Sequence, residues 1–231
     1  MIKRIVGFGD SWVYGDGLVD VSNCSKESFK SRIQNSLIGQ LAECLQIPYD
    51  SATVINHGTS GNSLQGTQWD FAQWAQVETD FSDTLIVIGL TESARQSWWK
   101  YQLTPCGNNY EPNYVHAHAA IGKYPEWSDF IKFYQTNAND PSLWKMNYWI
   151  ATEFFYNWAV TNNAKLAMFN IFPAPIESSY VIQPNWNMRG ELARLEHSVG
   201  GVTAPCKHPN EKGYHLLAKH LHKLLQSSKL V

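Results

Sequence analysis

The sequence predicts an α/β protein, a three-layer α/β/α sandwich built on a mainly parallel central sheet. Short apolar runs at 2–6, 52–55, 84–90 and 165–172 alternate with longer stretches whose apolar residues recur every three or four positions. The run Thr84-Leu-Ile-Val-Ile-Gly-Leu90 is apolar without a break, as expected where helices cover both faces of a parallel strand. A serine, Ser11, stands where the first run ends and the chain turns through glycines. In open α/β folds ligands gather at the carboxyl ends of the strands, so that turn is where chemistry is expected.

Taken in order, Ile2, Ile5 and Val6 make the first strand, and the turn Gly7-Phe-Gly-Asp-Ser-Trp-Val-Tyr-Gly-Asp-Gly-Leu18 follows. Ile33, Leu37, Leu41 and Cys44/Leu45 then share one helical face over 31–46, and Pro48 ends it. The strand 52–55 leads into a loop, Asn56-His-Gly-Thr-Ser-Gly-Asn-Ser63. A helix over 64–81 would pack Leu64, Phe71, Trp74 and Ala75, and the strand at 84–90 comes next. Between 97 and 141 the periodicity fails, and Pro105, Gly107, Pro112, Gly122, Pro125 and Pro141 punctuate aromatic and polar residues. So long a structureless connection is uncommon in a compact domain, so it reads as an insertion near the site with short helices of its own. It is expected to lie over or beside the carboxyl ends of the strands. Leu143, Met146, Ile150, Phe154 and Trp158 return to helical spacing, and the strand 165–172 stops at Pro173 and Pro175. A short helix around 190–197 and a last helix after Pro209, packing Tyr214, Leu217, Leu221 and Leu225, complete the chain. With no internal repeat and no linker composition, residues 1–231 read as one domain.

Several function classes are disfavoured by composition. Lys and Arg number 18 against 20 Asp and Glu, a net charge of −2, so no electrostatic footprint for nucleic acid exists. Cys24, Cys44, Cys106 and Cys206 are widely spaced, read as free thiols, and make no metal-ligand pattern; the histidines form no His-Glu-x-x-His. No metal or cofactor is expected. The first residues lack the apolar core of a signal peptide, and no run approaches membrane-spanning length. The expectation is a cytoplasmic protein, or one released by a non-classical route, with no membrane partner. Gly7-Phe-Gly9 lacks the third glycine of a dinucleotide fingerprint, and the residue two after Ser11 is Val13, which excludes a Gly-x-Ser-x-Gly elbow.

Four segments carry candidate chemistry, each with a plainer alternative. Gly9-Asp-Ser11 could be a tight turn in which Asp10 or Ser11 caps the next helix. Ser60-Gly-Asn62 could be a glycine turn, with Asn56 and Asn62 bonding local backbone. Gly89-Leu-Thr-Glu92 ends the third strand, and Thr91 could cap a helix running through Arg95. His208-Pro-Asn-Glu-Lys-Gly-Tyr214 could be a loop histidine beside a proline at a first helical turn.

In this order the four segments resemble the sequence blocks of the SGNH (GDSL-type) hydrolases, a family of flavodoxin-like α/β/α architecture. The resemblance implies Ser11 as nucleophile, His208 as base, and the Gly61 N–H as an oxyanion-hole donor. The third block of that family carries Gly-x-Asn-Asp; Thr91 occupies the asparagine position here, as a shorter donor with a free rotor. The family also places Asp three residues before the histidine, where this chain has Pro205. Glu191 and Glu196 are the nearest carboxylates in sequence, and a backbone carbonyl is the other candidate to hold the imidazole. The implied function is a serine ester hydrolase acting on short acyl esters of a polar or carbohydrate carrier. The alternative is a catalytically weak or inactive glycan-binding module on the same fold, using the aromatic insertion; the tryptophans, ten in all, fall mostly between Trp98 and Trp158.

Overall fold

The computed structural model describes residues 2–18, 26–95, 97–103, 110–116, 129, 132–133 and 140–231. Its centre is a parallel sheet of β1 (Arg4–Phe8), β2 (Val54–Asn56), β3 (Thr84–Leu90) and β6 (Lys165–Asn170), in the order β2-β1-β3-β6. The register pairs Val6 with Ile86 and Ile55, and Ile88 with Met168. Alternation along each strand sorts the core into two halves. Ile5, Leu85, Val87, Ala167 and Phe169 face one way, towards α3 (Leu37–Cys44), α6 (Met188–Val199) and α7 (Glu211–Ser227). Val6, Phe8, Ile86, Ile88, Leu90 and Met168 face the other, towards α4 (Leu64–Val77) and α5 (Pro141–Thr161). Helices on both faces explain why β3 is buried at all seven positions. The predicted sandwich is therefore the observed one.

Two expectations need correction. The helix foreseen over 31–46 is two helices, α2 (Lys26–Asn35) and α3, broken at Ser36. The Ser36 hydroxyl donates to the Ile33 carbonyl and accepts from Asn56 Nδ2, taking over backbone bonding that would have continued the helix. The i, i+4 spacing of Ile33, Leu37 and Leu41 survives the break, which is why it reads as continuous. The insertion does not begin with short helices. It opens as an antiparallel pair, β4 (Ser97–Leu103) and β5 (Tyr110–His116), registered from Ser97 opposite His116 to Leu103 opposite Tyr110. Aromatic and β-branched composition favours extended backbone there, and Pro112 is tolerated because a two-stranded pair consists only of edges. The expectation that insertion aromatics pack over the strand ends falls outside the described residues.

At the end of β6, Asn170 is buried; its Oδ1 accepts from the Tyr148 hydroxyl at 2.6 Å, and its Nδ2 donates to the Pro184 carbonyl at 2.9 Å. This ties α5 and the 171–187 connection to the sheet. Burial pushes the Tyr148 hydroxyl well above its ordinary range, so it remains a donor. Tyr148→Phe leaves the Asn170 oxygen without its donor, and a loss of about 1–3 kcal/mol is expected in urea unfolding. An unchanged midpoint would mean that water replaces the hydroxyl at no cost. No helix among the described residues is long and apolar enough to cross a membrane, and no group of His, Cys, Asp or Glu among them could hold a metal.

Candidate active site

All four strands of the sheet deliver a turn to one cavity of about 480 Å³. Ser11 and Trp12 arrive after β1, Ser60 and Gly61 after β2, Glu92 and Arg95 after β3, and Phe172 after β6. Arg189 of α6 and the segment Cys206-Lys207-His208 close the lining. A larger cavity of about 780 Å³ lies against α3 and α7, around Gln40, Glu43, Tyr49 and His215. Its lining includes no serine or cysteine, so the chemistry is sought in the smaller one.

Ser11 opens the short helix α1 (Ser11–Tyr14). Asp10 caps it, accepting from the Trp12 N–H at 3.0 Å, and Gly15 ends it at φ 98°, a conformation that glycine adopts freely. The capping alternative for Asp10 is thus observed, while its neighbour Ser11 is buried and lines the cavity. His208 lies 197 positions away in sequence, yet its Nε2 stands 2.9 Å from Ser11 Oγ. The ring rests 5.7 Å from the Trp12 indole, which itself meets Phe172 edge-on. Its loop is closed by the Ala204 N–H donating to the His208 carbonyl at 2.8 Å. Asn210 then caps α7 through the Gly213 N–H at 3.0 Å, so the Asn-x-x-Gly spacing of the last motif is a helix cap.

Nδ1 of His208 is buried and has no hydrogen-bond partner among the described residues. Neither suggested carboxylate reaches it. Glu196 accepts from the Val202 N–H, the Thr203 hydroxyl and the Gly201 N–H, which together hold its carboxyl below the usual range. Glu191 is paired with Arg194, which holds its carboxyl low in the same way, and lies against His220. Among the described residues the imidazole is therefore held by packing and its backbone, with no group on Nδ1 to select a tautomer.

The loop after β2 presents Gly61 at φ 77°, a left-handed conformation costly for any residue with a Cβ. Asn56 and Asn62 bond local backbone, accepting from the Gly58 and Ser63 N–H groups, as their plainer reading had it. The Ser11 and Gly61 N–H groups donate to no other group among the described residues. Two unused donors thus share the cavity with the serine.

Thr91 departs from expectation. It is buried outside the cavity lining, and its hydroxyl donates to Asp10 Oδ2 at 2.6 Å. With its one proton committed there, it is not free to complete an oxyanion hole. Nor does it cap a helix, since the chain makes only a turn in which the Arg95 N–H donates to the Glu92 carbonyl.

Arg95 and Asp10 were the partners hardest to foresee. Arg95 Nη1 donates to the same Asp10 oxygen at 2.9 Å, and the guanidinium lies 5.1 Å from the centre of the Phe172 ring. Burial pushes the Asp10 carboxyl up, while Arg95, the Thr91 hydroxyl, the Trp12 N–H and His208 pull it back. Arg95 and the Trp12 N–H can only donate, so the geometry fits the carboxylate. The sequence signal for this network was the i, i+3 spacing of Glu92 and Arg95 at a strand end; these lie 3.7 Å apart.

Beneath the Gly61 loop, Asp70 Oδ2 accepts from Asn62 Nδ2 at 2.9 Å and from the Thr59 hydroxyl at 3.4 Å. Burial outweighs both bonds and pushes its carboxyl up to about 6. The folded state thus binds this proton more tightly than the unfolded chain, whose carboxylate titrates near 3.9. Stability from this group is therefore present at low pH and lost as pH rises from about 4 to about 6. Asp70→Asn is expected to flatten that part of the stability profile, read as urea midpoints between pH 4 and 7. A decline of the same steepness in the variant would assign it to another group.

No protein-family model and no curated protein matches the chain. Among solved structures, TesA is similar at 16% identity, covering 99% of each chain with a TM-score of 0.49. A member of the lipolytic protein G-D-S-L family from Veillonella parvula DSM 2008 is 14% identical, covering 96% of this chain and 98% of that one, with a TM-score of 0.47. A family two carbohydrate esterase from Clostridium thermocellum, in complex with cellohexaose, is 13% identical at a TM-score of 0.45; all of this chain matches 66% of that one. The structural neighbours of the chain are thus lipolytic proteins of the G-D-S-L family and carbohydrate esterases, at low sequence identity.

Proposed function

We propose that the chain is a divergent serine esterase of the SGNH type, with Ser11 as nucleophile and His208 as general base. The observation that carries this is the 2.9 Å contact between His208 Nε2 and Ser11 Oγ, inside a cavity that also holds two unused N–H groups. A serine hydroxyl is a weak nucleophile until an adjacent base removes its proton. On this reading His208 takes that proton as Oγ attacks the ester carbonyl. The Ser11 and Gly61 N–H groups receive the oxyanion, a role in which each such donor is worth about 10² to 10³ in turnover. His208 then protonates the departing alcohol, and a water activated by the same imidazole releases the acid from the acyl-enzyme. Thr91 and Arg95 act through Asp10, which holds the Ser11 turn. We further propose short acyl esters on a polar or carbohydrate carrier as substrates, on the strength of the aromatic and polar sequence between 97 and 141.

The unpartnered Nδ1 of His208 favours a second reading, a binding module whose catalytic centre has decayed. Labelling with a fluorophosphonate separates the two without knowledge of the substrate. Wild type is expected to react covalently and Ser11→Ala not at all. A wild type that stays unlabelled while folded would leave the binding-module reading in place.

A further inference from the structure

The charged groups around the cavity are unevenly engaged. Of its two carboxylates, Asp16 accepts from the Ser60 hydroxyl at 2.6 Å, and Glu92 lies beside Arg95. Of its three cations, Arg95 is neutralised by Asp10. The other two, Arg189 and Lys207, have no carboxylate partner among the described residues. Arg189 lines the cavity from an exposed position. Its backbone N–H is bonded to the Ile171 carbonyl at 2.9 Å, and its guanidinium stands 5.6 Å from the centre of the Phe172 ring. That ring also faces Arg95, so two guanidinium groups share one aromatic wall.

Lys207 adds an independent observation. Its φ is 69°, in the left-handed region that costs a residue with a Cβ roughly 1–2 kcal/mol and that glycine occupies freely. It stands immediately before His208 and on the cavity wall.

From this arrangement we infer that the ester bound by the Ser11–His208 centre carries an anionic oxyacid group, a carboxylate or a phosphate, held by Arg189 and Lys207 beside Phe172. The inference rests on the esterase reading and names its substrate class. A planar guanidinium presents paired donors to such a group, and Lys207 adds a second positive charge on the same wall.

The test uses three acetyl esters: methyl 4-acetoxybenzoate, which is neutral, 4-acetoxybenzoate, which carries a carboxylate, and 4-acetoxyphenyl phosphate. Each kcat/KM is normalised to the ester's hydroxide-catalysed rate. The ratio of anionic to neutral ester is expected to exceed one in wild type and to fall roughly tenfold in Arg189→Gln, the scale of one lost hydrogen bond to a charged group. Lys207→Gln should lower it in the same direction, and Arg189→Lys should restore part of it. Whichever anionic ester shows the larger ratio identifies the group. A second arm measures binding of 4-hydroxybenzoate to Ser11→Ala by calorimetry, with and without Arg189→Gln, and needs no hydrolysis. Loss of binding on adding Arg189→Gln supports the subsite even if Ser11 proves not to be a nucleophile. Equal ratios in all four proteins, or equal binding in the two Ser11→Ala backgrounds, would overturn it.

Discussion

Ser11→Ala is expected to lower the hydrolysis of a small ester such as p-nitrophenyl acetate by about 10²- to 10⁴-fold. The range follows from two magnitudes. Removing the serine or the histidine of a complete triad costs about 2 × 10⁶ in turnover, and the two losses are not additive because the residues act as one unit. Loss of the correctly held tautomer alone costs about 10⁴. Among the described residues no group on His208 Nδ1 holds that tautomer, so wild type is expected to start from a lower rate and to have less to lose. His208→Ala should fall to the same level, and the double variant no further. Less than a tenfold loss in Ser11→Ala would remove the serine from the chemistry, leaving the measured turnover to a contaminant or to surface groups.

The same defect shows what was readable in the sequence. Pro205, standing where a carboxylate was wanted, announced an incomplete centre. Where the missing acid went was not readable, because Glu191 and Glu196 were as near in sequence as any candidate. Only their bonds to Arg194, Gly201, Val202 and Thr203 show them committed elsewhere. That Ser11, Gly61 and His208 come to one cavity was legible because each sits in a short motif at the end of a strand or before a helix, where local sequence and position coincide. Thr91 lies apart from that cavity. Whether its hydroxyl points into the cavity or under the loop depends on Asp10, 81 positions away, and no local pattern encodes that pairing. The sheet was legible for the opposite reason: burial on both faces turns a strand such as β3 into a continuous apolar run, which a single strand reports by itself. The β4–β5 pair was missed because Pro112 and its polar residues masked an extended pattern that needs a partner strand to become visible.

Asp10→Ala is expected to destabilise the fold by about 3–5 kcal/mol, the cost of removing one partner from a buried ion pair. Asp10 is fully buried and the Arg95 side chain is only 18% exposed, so the abandoned guanidinium cannot turn fully into water. Glu92, at 3.7 Å and half-exposed, compensates weakly. The Thr91 hydroxyl and the Trp12 N–H lose their acceptor in the same step. Asp10→Asn should rescue little. Its one oxygen can serve Trp12 or the Arg95–Thr91 side, and its amide then points donors at donors. Arg95→Met on the Asp10→Ala background removes the stranded charge. The double variant should therefore be more stable than the sum of the single losses predicts, with a coupling of roughly 0.5–3 kcal/mol in urea unfolding. Additive losses would mean that the pair contributes nothing as a pair. Thr91→Val supplies the control on mechanism. It deletes one donor to Asp10 and should cost about 1 kcal/mol of stability, with turnover falling only as far as the Ser11 turn loosens. A drop of 10² to 10³ in kcat at unchanged stability is instead the signature of a lost oxyanion donor, and would return Thr91 to the hole.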